Sequence, residues 1–194
     1  MIAAAGHDQA SGGGSGRVVA FCGTSWRPAK ARLLVEAVAR DLYHRHGLEA
    51  EILDLVDAGP GIAAFTRAAL GAEALRVVEA IEQADALIIG SPVFQGSYPG
   101  LFKHVFDLIA PGALKNRPVL LTACGGGLRH SLMVEHQLRP LFGFFEASTV
   151  STAVYAGAVD FVEGRLETPA MHARIADAVD QFAALLTRRH AAAA

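Results

Sequence analysis

The stretch that decides the fold is ALIIGSPVFQGSYPGLFKH, residues 86–104. An apolar run, 86–89, ends at a Ser-Pro turn, a loop of small and aromatic residues follows, and an amphipathic segment begins near Gly100. Such a run is typical of a strand buried on both faces, and doubly wound α/β proteins bind planar ligands at the carboxyl ends of these strands. The loop offers backbone N–H groups and a flat apolar wall, which suit a flavin ring better than a metal or a sugar.

Apolar runs and helical patterns alternate along the rest of the chain. The pattern predicts strands at 18–22, 49–55, 86–93, 118–123 and 149–155, and helices at about 29–45, 73–83, 100–109, 129–144 and 170–188. This order implies a parallel sheet with right-handed crossovers and helices on both faces. We therefore predict one α/β domain over residues 17–188, a Gly/Ala/Ser-rich disordered extension at 1–16 and a frayed tail at 189–194.

Composition excludes several classes of protein. The chain has 194 residues, of which 52% are hydrophobic and 19% charged, and its net charge is −2. The charge gives no basic surface for nucleic acid and too little acidity for a carrier that docks by bulk negative charge. No basic-then-apolar leader and no run of 18 apolar residues is present, so we expect a cytoplasmic protein without a membrane segment.

The two cysteines, Cys22 and Cys124, each lie near the end of a predicted strand. In a sheet of order 2-1-3-4-5, one strand separates the first strand from the fourth, and two strand spacings come to roughly 10 Å. This distance exceeds the reach of a disulfide, so free thiols are expected, as in a reducing compartment.

Three loops are expected to meet at the carboxyl edge of the sheet. The first loop, residues 23–32, brings hydroxyls and cations to the start of a helix, which favours a site for an anion such as phosphate. The second loop, 91–99, is the one described above, and the third, 124–128, contains three glycines that let the backbone approach a flat ligand. Each loop taken singly also has a simpler interpretation. The first could be a solvated polar loop that caps a helix, the second an ordinary strand-to-helix connection, and the third a flexible turn.

Metal and nucleophile chemistry find little support in the sequence. The eight histidines are scattered, and the nearest pair, His44 and His46, has no cysteine or carboxylate cluster beside it, so no metal site is predicted. The chain has no Gly-x-Ser-x-Gly elbow of a hydrolase. Cys124 is interpreted as a small buried residue rather than a thiol nucleophile.

Four segments carry a resemblance to a known family: SPVFQGSYPGLFKHVFDL (91–108), GGGLRHSLMVEHQLRPLFGFFEA (125–147), AVYA (153–156) and Asp160-Phe161. They resemble the NADPH-dependent FMN reductases, in particular the flavin reductases of two-component sulfonate monooxygenase systems of the methanesulfonate-linked type. The likeness spans roughly residues 17–186. It implies a flavodoxin-like, five-stranded parallel sheet of order 2-1-3-4-5.

The resemblance also implies a reaction, in which NADPH or NADH stacks on FMN and transfers hydride to the flavin. The protein then contributes mainly positioning, because the chemistry belongs to the cofactors. The first loop would hold the FMN phosphate, the second would line the ring and ribityl chain, and the third would face the polar edge of the ring. The implied cofactor-binding residues are Thr24, Ser25, Arg27, Lys30, Pro92, Val93, Phe94, Gln95, Gly96, Ser97, Gly125, Gly126 and Gly127.

The first loop departs from the family pattern Arg-Pro-Ser-Arg-Thr, because this chain has Arg27-Pro28-Ala29-Lys30-Ala31. Two hydroxyl donors are absent, and each lost hydrogen bond to a phosphate costs about 1.5–3 kcal/mol. We therefore predict weak FMN retention, which suits a reductase that passes FMNH₂ to a partner monooxygenase. A relative that holds FMN tightly and reduces quinones, azo dyes or metal oxyanions is the alternative, and a non-enzymatic flavin-binding carrier is a third.

The predicted helix around residues 130–144 is the second place where the resemblance implies a special structure. Related two-component reductases have a π-type turn there, at a subunit interface beside the flavin, and π-bulges are frequent at functional sites. His136 is therefore a candidate catalytic residue, and a regular helix with a surface histidine is the alternative. The family expectation is a homotetramer or a homodimer. The sequence does not decide between NADH and NADPH.

Overall fold

The computed structural model describes residues 16–193 of the chain. The strands are β1 Val18–Cys22, β2 Ala50–Asp54, β3 Ala86–Pro92, β4 Pro118–Cys124, β5 Ser148–Thr149, β6 Val154–Ala156, β7 Phe161–Val162 and β8 Arg165–Leu166. The main sheet is parallel and has the order β2-β1-β3-β4-β5, with β6 also paired to β4, while β7 and β8 form an antiparallel hairpin. The predicted doubly wound fold of order 2-1-3-4-5 is thereby confirmed.

Helices cover both faces of this sheet. They are α1 Lys30–His46, α2 Leu55–Ala58, α3 Ala72–Gln83, α4 Gly100–Asp107, α5 Arg139–Phe144 and α6 Pro169–Ala193. Helices α1 and α6 pack on one face, and α3, α4 and α5 pack on the other. Strands β1, β3 and β4 are buried along their whole length, which is why their sequences are almost uninterrupted apolar runs.

The predicted fifth strand, 149–155, is two short strands instead of one. β5 pairs with the start of β4 and β6 with its end. The Val150 N–H still donates to the Val119 carbonyl over 3.0 Å, and residues 151–153 leave the ladder. Side chains replace the missing ladder bonds, since Arg139 donates to the Val150 carbonyl over 2.9 Å and the Thr152 N–H donates to Gln181 over 2.9 Å. Strand periodicity does not reveal such side-chain substitution.

The predicted helix 129–144 is also interrupted. A 3-10 turn at Leu128–His130 is followed by a π-turn at Val134–Leu138 and then by α5. Within the π-turn, the Arg139 N–H donates to the Val134 carbonyl, five residues back. Pro140 follows at once, and a proline has no N–H and crowds the carbonyl four residues before it, so the wider turn suits this position. The π-type turn expected from the resemblance is present.

The two chain ends differ in how they meet the predictions. The extension predicted at 1–16 lies, apart from Gly16, outside the described residues. At the other end, α6 continues to Ala193, through residues that we assigned to a frayed tail, because alanine is the strongest helix former. The short helix α2 and the hairpin β7–β8 were not predicted.

Candidate active site

The first, second and third loops meet at the carboxyl edge of the sheet, as predicted. The Val93 N–H donates to the Cys124 carbonyl over 2.9 Å, which connects the second loop to the third. The rings of Trp26 and Phe94 stack with centroids 5.3 Å apart and planes inclined by 6°, which connects the first loop to the second. The three loops therefore form one continuous rim.

The two hydroxyls of the first loop are placed differently. Thr24 is fully buried, and its Oγ1 donates to the Trp26 carbonyl over 3.1 Å. Ser25 is exposed at the rim. The hydroxyl of Thr24 therefore shapes the loop from inside, and Ser25 is the hydroxyl that a ligand at the rim would meet.

Arg27 carries a charge that the protein itself compensates. Its Nε and Nη2 each donate to an Asp54 carboxylate oxygen over 2.8 Å, and Nη2 also donates to Asp57 over 2.6 Å. Arg32 donates to the same Asp54 carboxylate over 2.6 Å. The structure thus places Arg27 as a brace between the first loop and the end of β2, and its contact with a phosphate stays a prediction.

Asp54 is a residue that the sequence analysis missed. Its side chain is fully buried. Burial raises the pKa of Asp54, but the hydrogen bonds from Arg27 and Arg32 outweigh that effect and leave the pKa below its usual value. Asp54 also caps α2 by accepting the Val56 N–H over 2.8 Å, while the Asp57 side chain accepts the Asp54 N–H. The available signal was the capping-box spacing of two acids three residues apart at a strand end.

Of the three cations of the first loop, Arg27, Lys30 and Arg32, Lys30 is the one that has no ion-pair partner among the described residues. Its Nζ lies 5.3 Å from the centre of the Phe161 ring, and its side chain forms no hydrogen bond or ion pair within residues 16–193. α1 begins beside it with no side-chain cap at Ala29 and no acidic residue in its first turn. The first N–H groups of the helix and the Lys30 ammonium are therefore available to an anion.

The second loop is a tight turn. Phe94 and Ser97 exchange both backbone hydrogen bonds, over 2.8 and 3.0 Å. Gln95 and Gly96 between them have φ of 47° and 85°, as a type I′ turn requires. Pro92 is buried, whereas Phe94 and Ser97 are partly exposed. The turn holds Phe94 at the rim.

The third loop has one glycine that packing requires and two that face open space. A Cβ on Gly125 would lie 2.4 Å from the Tyr155 Oη and 3.3 Å from a Val93 methyl group. Tyr155 in turn donates to the Gly127 carbonyl over 2.6 Å, and burial raises its pKa. A Cβ on Gly126 or Gly127 would meet nothing within 4 Å. These two glycines therefore have open space beside the backbone, and contact of this backbone with a flat ligand stays a prediction.

The π-turn reaches the second loop through Gln137, whose Oε1 accepts the Ser97 hydroxyl over 3.2 Å. The neighbouring His136 is exposed, and its ring makes no hydrogen bond within the described residues. Glu135 and Arg139 form an ion pair of 2.6 Å, and the hydrogen bond from Arg139 lowers the pKa of Glu135. The π-turn therefore borders the rim, and a catalytic role of His136 stays a prediction.

Both cysteines are free and buried, as expected. Burial raises the pKa of Cys22 to about 12 and that of Cys124 to about 11, so both are un-ionised thiols at neutral pH. Residues 16–193 contain no group of three or more His, Cys, Asp or Glu side chains placed to hold a metal. Within the same range, no helix has the length and apolarity needed to cross a membrane.

The rim fits FMN by the chemistry of its donors. A free ammonium, an exposed hydroxyl and uncapped helix N–H groups lie at one end, and aromatic side chains and open glycine backbone lie along the remainder. The first set matches a phosphate and the second matches a planar ring.

Comparison with known proteins agrees with this geometry. The NADPH-dependent FMN reductase family matches residues 17–160. A protein of Pseudomonas fluorescens (strain Pf0-1), named NADH-dependent FMN reductase SfnF, is 45% identical over 170 residues, which cover 87% of this chain and 91% of that protein. The chain belongs to the NADPH-dependent FMN reductase family. It is therefore an oxidoreductase that uses FMN and a reduced nicotinamide nucleotide, and the resemblance noted in the sequence is confirmed.

Further relatives support the assignment. A Pseudomonas aeruginosa PAO1 protein named FMN reductase (NADPH) is 42% identical over 89% of this chain and 94% of its own length. Among solved structures, an oxidoreductase from Corynebacterium diphtheriae has a TM-score of 0.76 and 30% identity, with 90% of this chain and 99% of that chain covered. An NADH:FMN oxidoreductase, EmoB, has a TM-score of 0.73 at 24% identity over 86% of this chain and 88% of its own, which shows the shared fold.

Proposed function

We propose that this protein takes FMN as an exchangeable substrate, reduces it with NADH or NADPH, and releases FMNH₂ to a flavin-dependent monooxygenase. The observation that carries this proposal is the small number of side chains in the first loop that are free to bind a phosphate. Ala29 and Ala31 offer no hydroxyl, Thr24 is turned inward, and the charge of Arg27 is compensated by Asp54. Lys30, Ser25 and the helix N–H groups remain, which favours binding without tight retention. The similarity to a relative named SfnF supports the same reading.

The roles proposed for the rim residues follow from their positions. Lys30 and Ser25 bind the phosphate, the turn that carries Phe94 supports the ring, and Gly126 and Gly127 let the ring approach the backbone. FMN supplies the hydride-accepting chemistry when bound. The residues of this chain hold the flavin so that one face stays open to the nicotinamide, and no side-chain acid or base is needed for that positioning.

The second candidate function is a tightly FMN-bound reductase of quinones, azo dyes or metal oxyanions. A Staphylococcus aureus protein named FMN-dependent NADPH-azoreductase, 29% identical over 132 residues, favours it. That match covers 64% of this chain, against 87% for the SfnF protein. The shorter match and the sparse phosphate end make this function the less favoured of the two.

We also propose that the protein is cytoplasmic and assembles as a homotetramer or homodimer. The apolar stretch 138–145 follows the interface expected at the π-type turn, but Leu138, Phe142 and Phe145 are buried in the protein's own core, and Phe144 is 69% exposed. Leu128 and Leu132, before the π-turn, are also exposed. These exposed apolar side chains support a subunit interface near the π-turn. The buried residues of 138–145 do not, because they pack inside the same subunit.

Steady-state kinetics and flavin recovery test the proposed function together. Initial rates with both NADH and NADPH, at several FMN concentrations, are expected to give intersecting double-reciprocal lines, and the purified protein is expected to be colourless. Anaerobic ultrafiltration after turnover should place FMNH₂ in the filtrate. Parallel lines, a yellow protein and a dissociation constant for FMN in the low nanomolar range would instead identify the tightly bound alternative.

A further inference from the structure

Trp26 lies where the first and second loops face one another, and it is the single tryptophan of the chain. Trp26 is 49% exposed, and its ring stacks in parallel on that of Phe94, with 5.3 Å between centroids. Offset parallel stacking of this kind is a favourable aromatic arrangement. Trp26 is therefore positioned by a specific contact and is not simply a surface side chain.

Each ring of this pair is fixed to a locally rigid backbone. On one side, the Trp26 carbonyl accepts the hydroxyl of fully buried Thr24. On the other side, Phe94 belongs to the two-residue turn that Ser97 closes. The stack thus joins two well-defined loops, and loss of either ring would leave the internal bonds of each loop intact while removing the contact between the loops.

The stack is also the main specific link between the two loops beyond the ends of their strands. Within the described chain, no hydrogen bond or ion pair joins residues 25–29 to residues 93–98. The first loop is braced toward β2 by Arg27, and the second is bonded toward β4 by Val93. Without the aromatic pair, the first loop would keep its bonds toward β2, and the second would keep its bonds toward β4 and, through Ser97, to Gln137 of the π-turn. No contact of this kind would then join the two loops.

We propose that Trp26 and Phe94 form an aromatic clasp that sets the spacing between the phosphate end and the ring end of the flavin site. Trp26 is then a positioning residue that determines the preference for FMN over riboflavin by holding the loop proposed to bind the phosphate. The inference rests on the proposed function. Its physical basis is effective concentration: a ligand held at both ends gains affinity from the second contact only while the two ends keep the right separation.

Binding of FMN and riboflavin, measured by equilibrium dialysis, tests the clasp. Trp26→Ala and Phe94→Ala are each expected to reduce the FMN-to-riboflavin affinity ratio about three- to tenfold, the range that an aromatic pair supports. Trp26→Phe, which keeps a stacking ring, should retain the ratio within about twofold. The double variant should lower the FMN-to-riboflavin affinity ratio no further than either single variant does, because each of the three proteins lacks the same single contact.

The matched control is Tyr43→Ala, since Tyr43 is 52% exposed and lies near the far end of α1. It should leave both affinities unchanged. An FMN-to-riboflavin affinity ratio that is unchanged in Trp26→Ala, whether or not both affinities fall, or additive losses of the ratio in the double variant would overturn the clasp. A wild-type protein that binds neither flavin would overturn the proposed function itself, so the two failures are distinguishable.

Discussion

The first and third loops reach the same edge of the sheet, but different forces hold them. In the first loop, Arg27 and Arg32 converge on the buried carboxylate of Asp54, so ionic hydrogen bonds fix the backbone. In the third loop, the backbone is fixed where Gly125 admits the Tyr155 hydroxyl, and the following glycines face open space. One loop is rigid because charges are paired, and the other because a side chain is absent.

This difference distinguishes two roles that a cationic side chain can have at one site. A charge that a buried carboxylate already binds contributes to the shape of the loop, whereas a charge without a partner remains available to a ligand. Arg27 belongs to the first kind and Lys30 to the second. Variants of these residues should therefore separate stability from flavin binding.

The largest effect is expected from Asp54→Asn. The substitution leaves Arg27 and Arg32 without their shared carboxylate, and breaking a buried ion pair by removing one partner costs about 3–5 kcal/mol. Because Arg27 reaches solvent, we expect the free energy of unfolding to fall by about 2–4 kcal/mol, measured by urea denaturation. Asp107→Asn, which breaks only an exposed pair with Lys103, should change it by less than about 0.5 kcal/mol.

The pH dependence of the same variant gives an independent check. The folded-state pKa of Asp54 is lowered, so its stabilising contribution is present above the ordinary aspartate pKa, about 3.9, and is lost as the pH falls through the folded value. Wild-type protein should thus lose more stability than Asp54→Asn when acidified below about pH 4. Equal acid sensitivity of the two proteins would show that ionisation of Asp54 contributes nothing to stability.

Lys30→Met should have the next largest effect, and it should act on binding. Loss of a charged hydrogen bond to phosphate, about 1.5–3 kcal/mol, corresponds to FMN affinity about 10- to 150-fold weaker, with riboflavin affinity within about twofold of wild type. Lys115→Met, at the opposite edge of the sheet, is the control. If Arg27→Met lost FMN selectively while Lys30→Met did not, the assignment of the two charges would be reversed.

Sequence reasoning located this site because the loops follow strands with plain apolar patterns. β1, β3 and β4 are buried throughout, so their ends, and therefore the rim, were predictable to within a residue or two. The π-turn was expected from the family resemblance. The hairpin β7–β8 was missed because its strands are two residues long, although Glu163-Gly164, with φ of 48° and 79°, carried a turn signal.

The contacts between individual side chains could not be predicted from the sequence. Arg27 and Asp54 are 27 residues apart, and only the pairing of β1 with β2 brings them together. The same holds for Trp26 on Phe94, which depends on β1 beside β3. A sequence shows that a loop is charged or aromatic, but the fold decides whether those groups meet a ligand or one another.

The smallest effect, and the test of the third loop, is expected from Gly125→Ala. The new methyl group would lie 2.4 Å from the Tyr155 Oη, so the tyrosine or the backbone must shift. Overpacking of this kind costs about 1–3 kcal/mol, and we expect a loss near the lower end because a tyrosine ring can move. Urea denaturation of Gly125→Ala beside Gly126→Ala measures it.

Gly126→Ala is the matched control, because a Cβ there meets nothing within 4 Å and should change stability little. Adding Tyr155→Phe to Gly125→Ala removes the colliding hydroxyl and should recover part of the loss, although it also removes the bond to the Gly127 carbonyl. Equal costs at Gly125 and Gly126 would mean that backbone freedom, and not space for the hydroxyl, explains both glycines. The contrast between a loop shaped by paired charges and a loop shaped by a missing side chain would then no longer hold.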